Sequence, residues 1–126
     1  MATILVIDDD ADIRETVSDL LAEHGYSVLG ASDSSSALRH LRSDGIDFIL
    51  MDYAFPVPAE GDAFMRAKAT DPRTAAIPLV VMSGYHLSQV DGAHAVLRKP
   101  FDAEALLALV RDLTRPRDEI ADGKGK

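Results

Sequence analysis

Reactive side chains follow short apolar runs at four places in this 126-residue sequence. Asp8 and Asp9 come after residues 3–7, Asp52 after 47–51, Ser83 and Gly84 after 77–82, and Lys99 shortly after 94–97. If these runs are neighbouring strands, three carboxylates, a hydroxyl and an ammonium meet at one edge of a sheet. Left uncompensated, the carboxylates would push at least one pKa upward, and a hard divalent cation such as Mg²⁺ would relieve the repulsion through oxygen ligands. Asp8, Asp9 and Asp52 are therefore the candidate metal-binding carboxylates. Asp52 stands alone at its run, so it is also the candidate nucleophile, a carboxylate that can take a phosphoryl group as an acyl phosphate. Lys99 and Ser83 suit the charge and hydrogen-bonding needs of phosphoryl oxygens, and Gly84 would let backbone come close. Each piece has a plainer reading. An aspartate pair before a helix can simply cap it, Asp52 can open a loop, Ser83-Gly84 can be a turn, and the lysine can be a solvated strand end leading into a Pro turn. Coincidence at four strand ends favours the chemistry. His24, His40, His86 and His94 have no metal-ligand spacing among themselves and are assigned none.

The elements that would position these groups can be read from periodicity. Five Val/Ile/Leu-rich runs, at 3–7, 26–31, 47–51, 77–82 and 94–97, are strand-length. The first, third and fourth are apolar on both faces, as a buried parallel strand requires. Helical patterns lie between them. Asp10 can cap a helix that faces the core with Ile13, Val17, Leu20 and Leu21 and that Gly25 ends. A second, over 34–42, offers Ala37, Leu38 and Leu41; a third, over 61–69, offers Phe64 and Ala67; a last, over 103–113, offers Leu106, Leu107, Val110 and Leu113. Alternating strands and helices predict an α/β domain with a doubly wound parallel sheet, and ligands in such sheets sit beyond the carboxyl ends of the strands.

Composition excludes other classes. With 47% hydrophobic residues the chain can build one real core, and residues 115–126, "RPRDEIADGKGK", read as a frayed polar tail beyond it. There are 21 acidic and 13 basic residues, for a formal charge of −8, with no Lys/Arg-rich stretch, so nucleic acid is not expected as a direct partner. No cysteine is present, which excludes disulfides and thiolate metal sites and fits a reducing compartment. No signal-like n-region precedes the first run, and no apolar stretch approaches the roughly 20 residues that span a bilayer. The expectation is a cytoplasmic protein without membrane insertion.

Taken in order, "VIDDD", "FILMDYAFP", "VVMSG" and "VLRKPF" resemble the receiver domain of two-component response regulators over residues 3 to about 114. The resemblance implies a flavodoxin-like five-stranded sheet of order 2-1-3-4-5. It implies that Asp52 accepts phosphate from a partner's phosphohistidine, on a sensor histidine kinase or a histidine phosphotransfer protein. It further implies that Asp8 and Asp9 bind Mg²⁺ together with the backbone carbonyl of Ala54, that Ser83 reports phosphorylation, that Lys99 contacts the phosphoryl group, and that Lys99-Pro100 is cis. Three features depart from the pattern. Pro56 is in place but Gly61 comes one residue late; Val96 stands where an aromatic residue is usual; and only fifteen residues separate Ser83 from Lys99. The helix that the family places between the fourth and fifth strands must then be short, remodelled or unwound, with residues 84–92 the affected segment.

The sequence thus predicts a receiver domain over 1–114 that signals by phosphorylation-dependent protein contact and assists only its own phosphorylation and dephosphorylation. The alternatives are a pseudo-receiver that binds partners without phosphorylation, against which the intact Asp8, Asp9, Asp52, Ser83 and Lys99 set argues, and a metal-dependent phosphohydrolase, for which no second general acid is found near Asp52.

Overall fold

The apolar runs become strands, and the patterned segments between them become helices, in a computed structural model that describes residues 2–53, 58–85 and 89–114. In chain order these are β1 (Thr3–Ile7), α1 (Ala11–Glu23), β2 (Ser27–Ala31), α2 (Ser34–Ser43), β3 (Phe48–Asp52), α3 (Pro58–Thr70), β4 (Leu79–Ser83), β5 (Ala95–Arg98) and α4 (Ala103–Thr114). All strand pairs are parallel and the order is β2-β1-β3-β4-β5, the doubly wound, flavodoxin-like arrangement that the resemblance implies.

Side-chain alternation splits the core into two layers. Leu5, Ile7, Ile49, Met51, Leu79 and Val81 point to one face and pack with Ala37 and Leu41 of α2 and Phe64 of α3. Their sequence neighbours Ile4, Val6, Phe48, Leu50, Val80 and Met82 point to the other, where Val17 and Leu21 of α1 and Leu106 and Val110 of α4 cover them. Every residue of β3 and of β4 is buried. Each fully buried large apolar side chain contributes roughly 1.5–3 kcal/mol, so the two strands that end in Asp52 and Ser83 are the most firmly anchored parts of the sheet.

The helix ends follow local chemistry. Asp10 Oδ1 accepts from the backbone N–H groups of Asp12 and Ile13, at 2.9 and 3.3 Å, and caps α1. Gly25, at φ +90°, takes the left-handed conformation that lets the chain leave α1 for β2. Asp33 caps α2 in the same way through Ser36 N–H at 2.8 Å.

Some boundaries differ from the periodicity. β4 begins at Leu79 and not at residue 77, because Pro78 has no N–H to give the ladder; its carbonyl instead accepts from Ile49 N–H at 2.9 Å. β3 and β4 each run one residue further than their apolar runs, so Asp52 and Ser83 are the last residues of their strands. α3 starts at Pro58, three residues before Gly61, since proline is well tolerated in a first helical turn. Among the described residues between β4 and β5 there is no helix. Residues 86–88 of that connection, Pro56, and the expected tail at 115–126 lie outside the described residues. No helix among the described residues is long and apolar enough to cross a membrane.

Candidate functional site

The sheet order reverses its winding between β1 and β3, and the carboxylates stand at that point. Asp8 follows β1, and its N–H donates to the Ala31 carbonyl at 3.0 Å, which prolongs the pairing with β2 by one residue. Asp52 ends β3, and the next N–H, of Tyr53, donates to the Met82 carbonyl at 2.7 Å. On the far side, Lys99 N–H donates to the Ser83 carbonyl at 2.6 Å. These added ladder bonds hold the four strand ends in register, so the side chains beyond them converge.

The convergence is quantitative. One oxygen from each of Asp8, Asp9 and Asp52 lies within 4.8 Å of the other two. Lys99 reaches across β4, a span of roughly 10 Å at ordinary strand spacing, to put Nζ 3.1 Å from Asp52 Oδ1 and 3.6 Å from Asp8 Oδ2. Asp8 and Asp52 are buried, at 1% and 6% exposure, as is Ser83, while Asp9 is exposed. Burial pushes the Asp8 carboxyl above its ordinary value, and the charges of Asp52 and Asp9 push the same way; the Asp10 N–H bond and the Lys99 charge oppose them. Among the described residues, three carboxylates face one ammonium, an excess of negative charge that suits a cation.

The residues fit Mg²⁺. Asp8 Oδ1 is held by the N–H of Asp10 at 2.9 Å, which fixes the carboxylate and turns Oδ2 into the site. Among the described residues that buried Oδ2 accepts no hydrogen bond and has only the longer 3.6 Å ion pair with Lys99 Nζ, so it keeps a lone pair for a cation. The donor set is all oxygen, as a hard cation requires. Ala54, whose carbonyl the resemblance adds to the set, lies outside the described residues. Lys99-Pro100 is cis, as the resemblance also implies.

Ser83 Oγ accepts from Tyr85 N–H at 2.9 Å and donates to the Tyr85 carbonyl at 3.3 Å. The described histidines take structural roles: His24 Nδ1 bonds the Leu20 carbonyl, His40 pairs with Asp44, and His94 Nδ1 accepts from Leu79 N–H. His86 is outside the described residues.

Sequence reasoning missed Arg14. Its guanidinium donates to the Asp8 carbonyl at 2.7 Å, which ties the start of α1 to the end of β1 directly beside the carboxylates. The stem crosses β2 over Gly30, where a Cβ would stand 3.3 Å from Arg14 Cδ. A glycine inside a strand, which often marks the close approach of another group, was the one available signal, and it does not name the arginine. The edge-to-face contact of Tyr53 and Tyr85 was missed as well.

Residues 4–111 match the family model described as the response regulator receiver domain. The chain is similar to the CAI-1 autoinducer sensor kinase/phosphatase CqsS of Vibrio cholerae, at 33% identity over 110 residues, which is 82% of this chain and 16% of that protein. Against the chemotaxis response regulator CheY4 of V. cholerae the TM-score is 0.81 at 29% identity, covering 90% of this chain and 98% of that one. Against the response regulator TrrA of Thermotoga maritima, solved in complex with Mg²⁺ and BeF, it is 0.78 at 25% identity, covering 90% and 99%. The chain spans about half, or less, of the length of the curated relatives it matches.

Proposed function

The chain belongs to the response regulator receiver domain family, and from that premise we propose that it is the phosphoacceptor module of a two-component phosphorelay, with Asp52 as the acceptor. The observation that carries the proposal is the cluster of three carboxylate oxygens within 4.8 Å, with Lys99 Nζ at 3.1 Å from Asp52. In the step proposed, an Asp52 carboxylate oxygen attacks the phosphorus of a partner's phosphohistidine. The P–O bond forms as the P–N bond breaks, and the electron pair returns to the imidazole, which takes up a proton. Lys99 is placed to follow the phosphoryl oxygens once they displace its contact with Asp52, and Ser83 supplies a neutral hydroxyl donor from the adjoining strand. Asp8 and Asp9, with Asp52, would hold Mg²⁺, which when bound supplies positive charge against the phosphoryl oxygens.

The donor, a histidine kinase or a phosphotransfer protein, would seat in the open, largely apolar groove of about 490 Å³ that Ile13, Val17 and Phe101 line with Lys99 on its wall. The domain acts on no external substrate in this reading and signals through protein contact in the cytoplasm, a setting that the cysteine-free composition supports. Incubation with acetyl phosphate and Mg²⁺ tests the proposal: the intact protein should gain the mass of one phosphoryl group, and chelation with EDTA should prevent it. A protein that stays unlabelled under both acetyl phosphate and a phosphohistidine donor contradicts it.

A further inference from the structure

The exposed large apolar side chains among the described residues are two tyrosines, Tyr53 at 45% and Tyr85 at 65%, and they touch each other. Their ring centroids are 6.3 Å apart with planes at 76°, an edge-to-face contact. One directly follows Asp52, and the other lies two residues beyond Ser83, so the contact bridges the exits of β3 and β4. Tyr85 is also bound to Ser83 twice, through its N–H and through its carbonyl. A serine hydroxyl has one proton. While Ser83 gives that proton to the Tyr85 carbonyl, it has none to give to a phosphoryl oxygen on Asp52.

We propose that the Tyr53–Tyr85 contact is a resting-state brace that comes apart when Asp52 is phosphorylated, with Tyr85 a positioning residue for the Ser83 hydroxyl. This rests on Asp52 being the acceptor. Two acceptors compete for one proton. A phosphoryl oxygen carries negative charge and is a stronger acceptor than the Tyr85 carbonyl, so Ser83 rotates toward it. The bond to the Tyr85 carbonyl is lost, and the backbone that places the Tyr85 ring against Tyr53 is freed. Both rings are well exposed, so their contact is a modest stabilisation that a single charge-assisted hydrogen bond outweighs. Because the brace favours the resting orientation, removing it shifts the balance toward the phosphoryl-bound one.

The sequence supplies a clean reporter. It has three tyrosines and no tryptophan, so in a Tyr26→Phe background the tyrosine band of the near-ultraviolet circular dichroism comes from this pair alone. The probe is beryllofluoride with Mg²⁺, a phosphoryl mimic whose binding is followed independently by fluorine NMR. The tyrosine signal should fall when beryllofluoride binds and not with Mg²⁺ alone. Ser83→Ala, which lacks the hydroxyl that holds Tyr85, should start from the lowered signal without the mimic and show no further fall when saturated with it. Tyr85→Leu should bind it roughly two- to tenfold more tightly than the parent, whereas loss of a merely structural contact would weaken binding. An unchanged signal with the mimic bound, an equal fall in Ser83→Ala, or weaker binding by Tyr85→Leu overturns the brace. A protein that binds no beryllofluoride overturns the acceptor reading itself, and the brace with it.

Discussion

Lys99 Nζ stands 3.1 Å from Asp52 Oδ1 although 47 positions of sequence separate the two residues. That contact places an ammonium among three carboxylates, and its removal should expose their repulsion. Lys99→Ala is expected to destabilise the metal-free protein by on the order of 1–3 kcal/mol, and added Mg²⁺ should recover part of the loss. Asp52→Asn should leave metal-free stability no lower than the parent's and blunt the response to Mg²⁺. Thermal melts with and without Mg²⁺ check both, and a Lys99→Ala penalty indifferent to the metal contradicts the charge balance.

Metal binding and phosphoryl handling should separate by residue. Asp9 is exposed and contributes an oxygen to the carboxylate cluster, so Asp9→Ala should weaken Mg²⁺ binding by on the order of tenfold or more and slow phosphorylation with it. Lys99→Ala should keep Mg²⁺ affinity at least as high as the parent's while slowing phosphorylation. Titration calorimetry reads the affinities; unchanged Mg²⁺ binding in the Asp9 variant would return the aspartate pair to its plain capping role.

Arg14 should matter through Asp8. Arg14→Met removes the 2.7 Å bond to the Asp8 carbonyl and is expected to cost about 1 kcal/mol, less than a buried charged bond because the side chain is partly exposed. Gly30→Ala should act in the same direction by crowding Arg14 Cδ. In the double variant the two losses should not add, since both work through one contact. Additive losses in chemical denaturation contradict this.

A buried lysine should leave a mark at alkaline pH. Lys68 is 4% exposed, its Nζ donates to the Ala75 carbonyl at 3.0 Å, and burial pulls its pKa below the ordinary 10.5. Between the lowered folded value and 10.5 the unfolded chain holds more protons than the folded one, so stability rises with pH across that window. The stability of the parent relative to Lys68→Met should therefore increase as pH climbs toward 10.5. Parallel stability curves for the two proteins would show that Lys68 is not penalised by burial.

Much of this was legible in the chain. The continuous burial of residues 4–7 and 48–51, on alternating faces of the sheet, follows from runs apolar on both faces, and the converging aspartates and lysine follow from strand ends in a parallel sheet. What escaped depended on reach and on loops. Arg14 acts through a long side chain on a backbone carbonyl, which residue types do not reveal. The Tyr53–Tyr85 contact exists because two loop exits lie side by side, and no periodicity encodes it. Lys68 was readable in principle: it lies one turn after the buried Phe64 on the same helix face.

The central claim is that Asp52 takes the phosphoryl group. The most direct measurement is to phosphorylate the protein from acetyl phosphate with Mg²⁺, reduce the acyl phosphate with borohydride, and read the modified residue by peptide mass spectrometry. Reduction converts a phosphorylated aspartate to homoserine, so the site of transfer is recorded in the chain. Homoserine is expected at position 52 and not at 8 or 9, with no conversion in Asp52→Asn. Conversion at another aspartate, or an acid-labile phosphate that persists in Asp52→Asn, would contradict it.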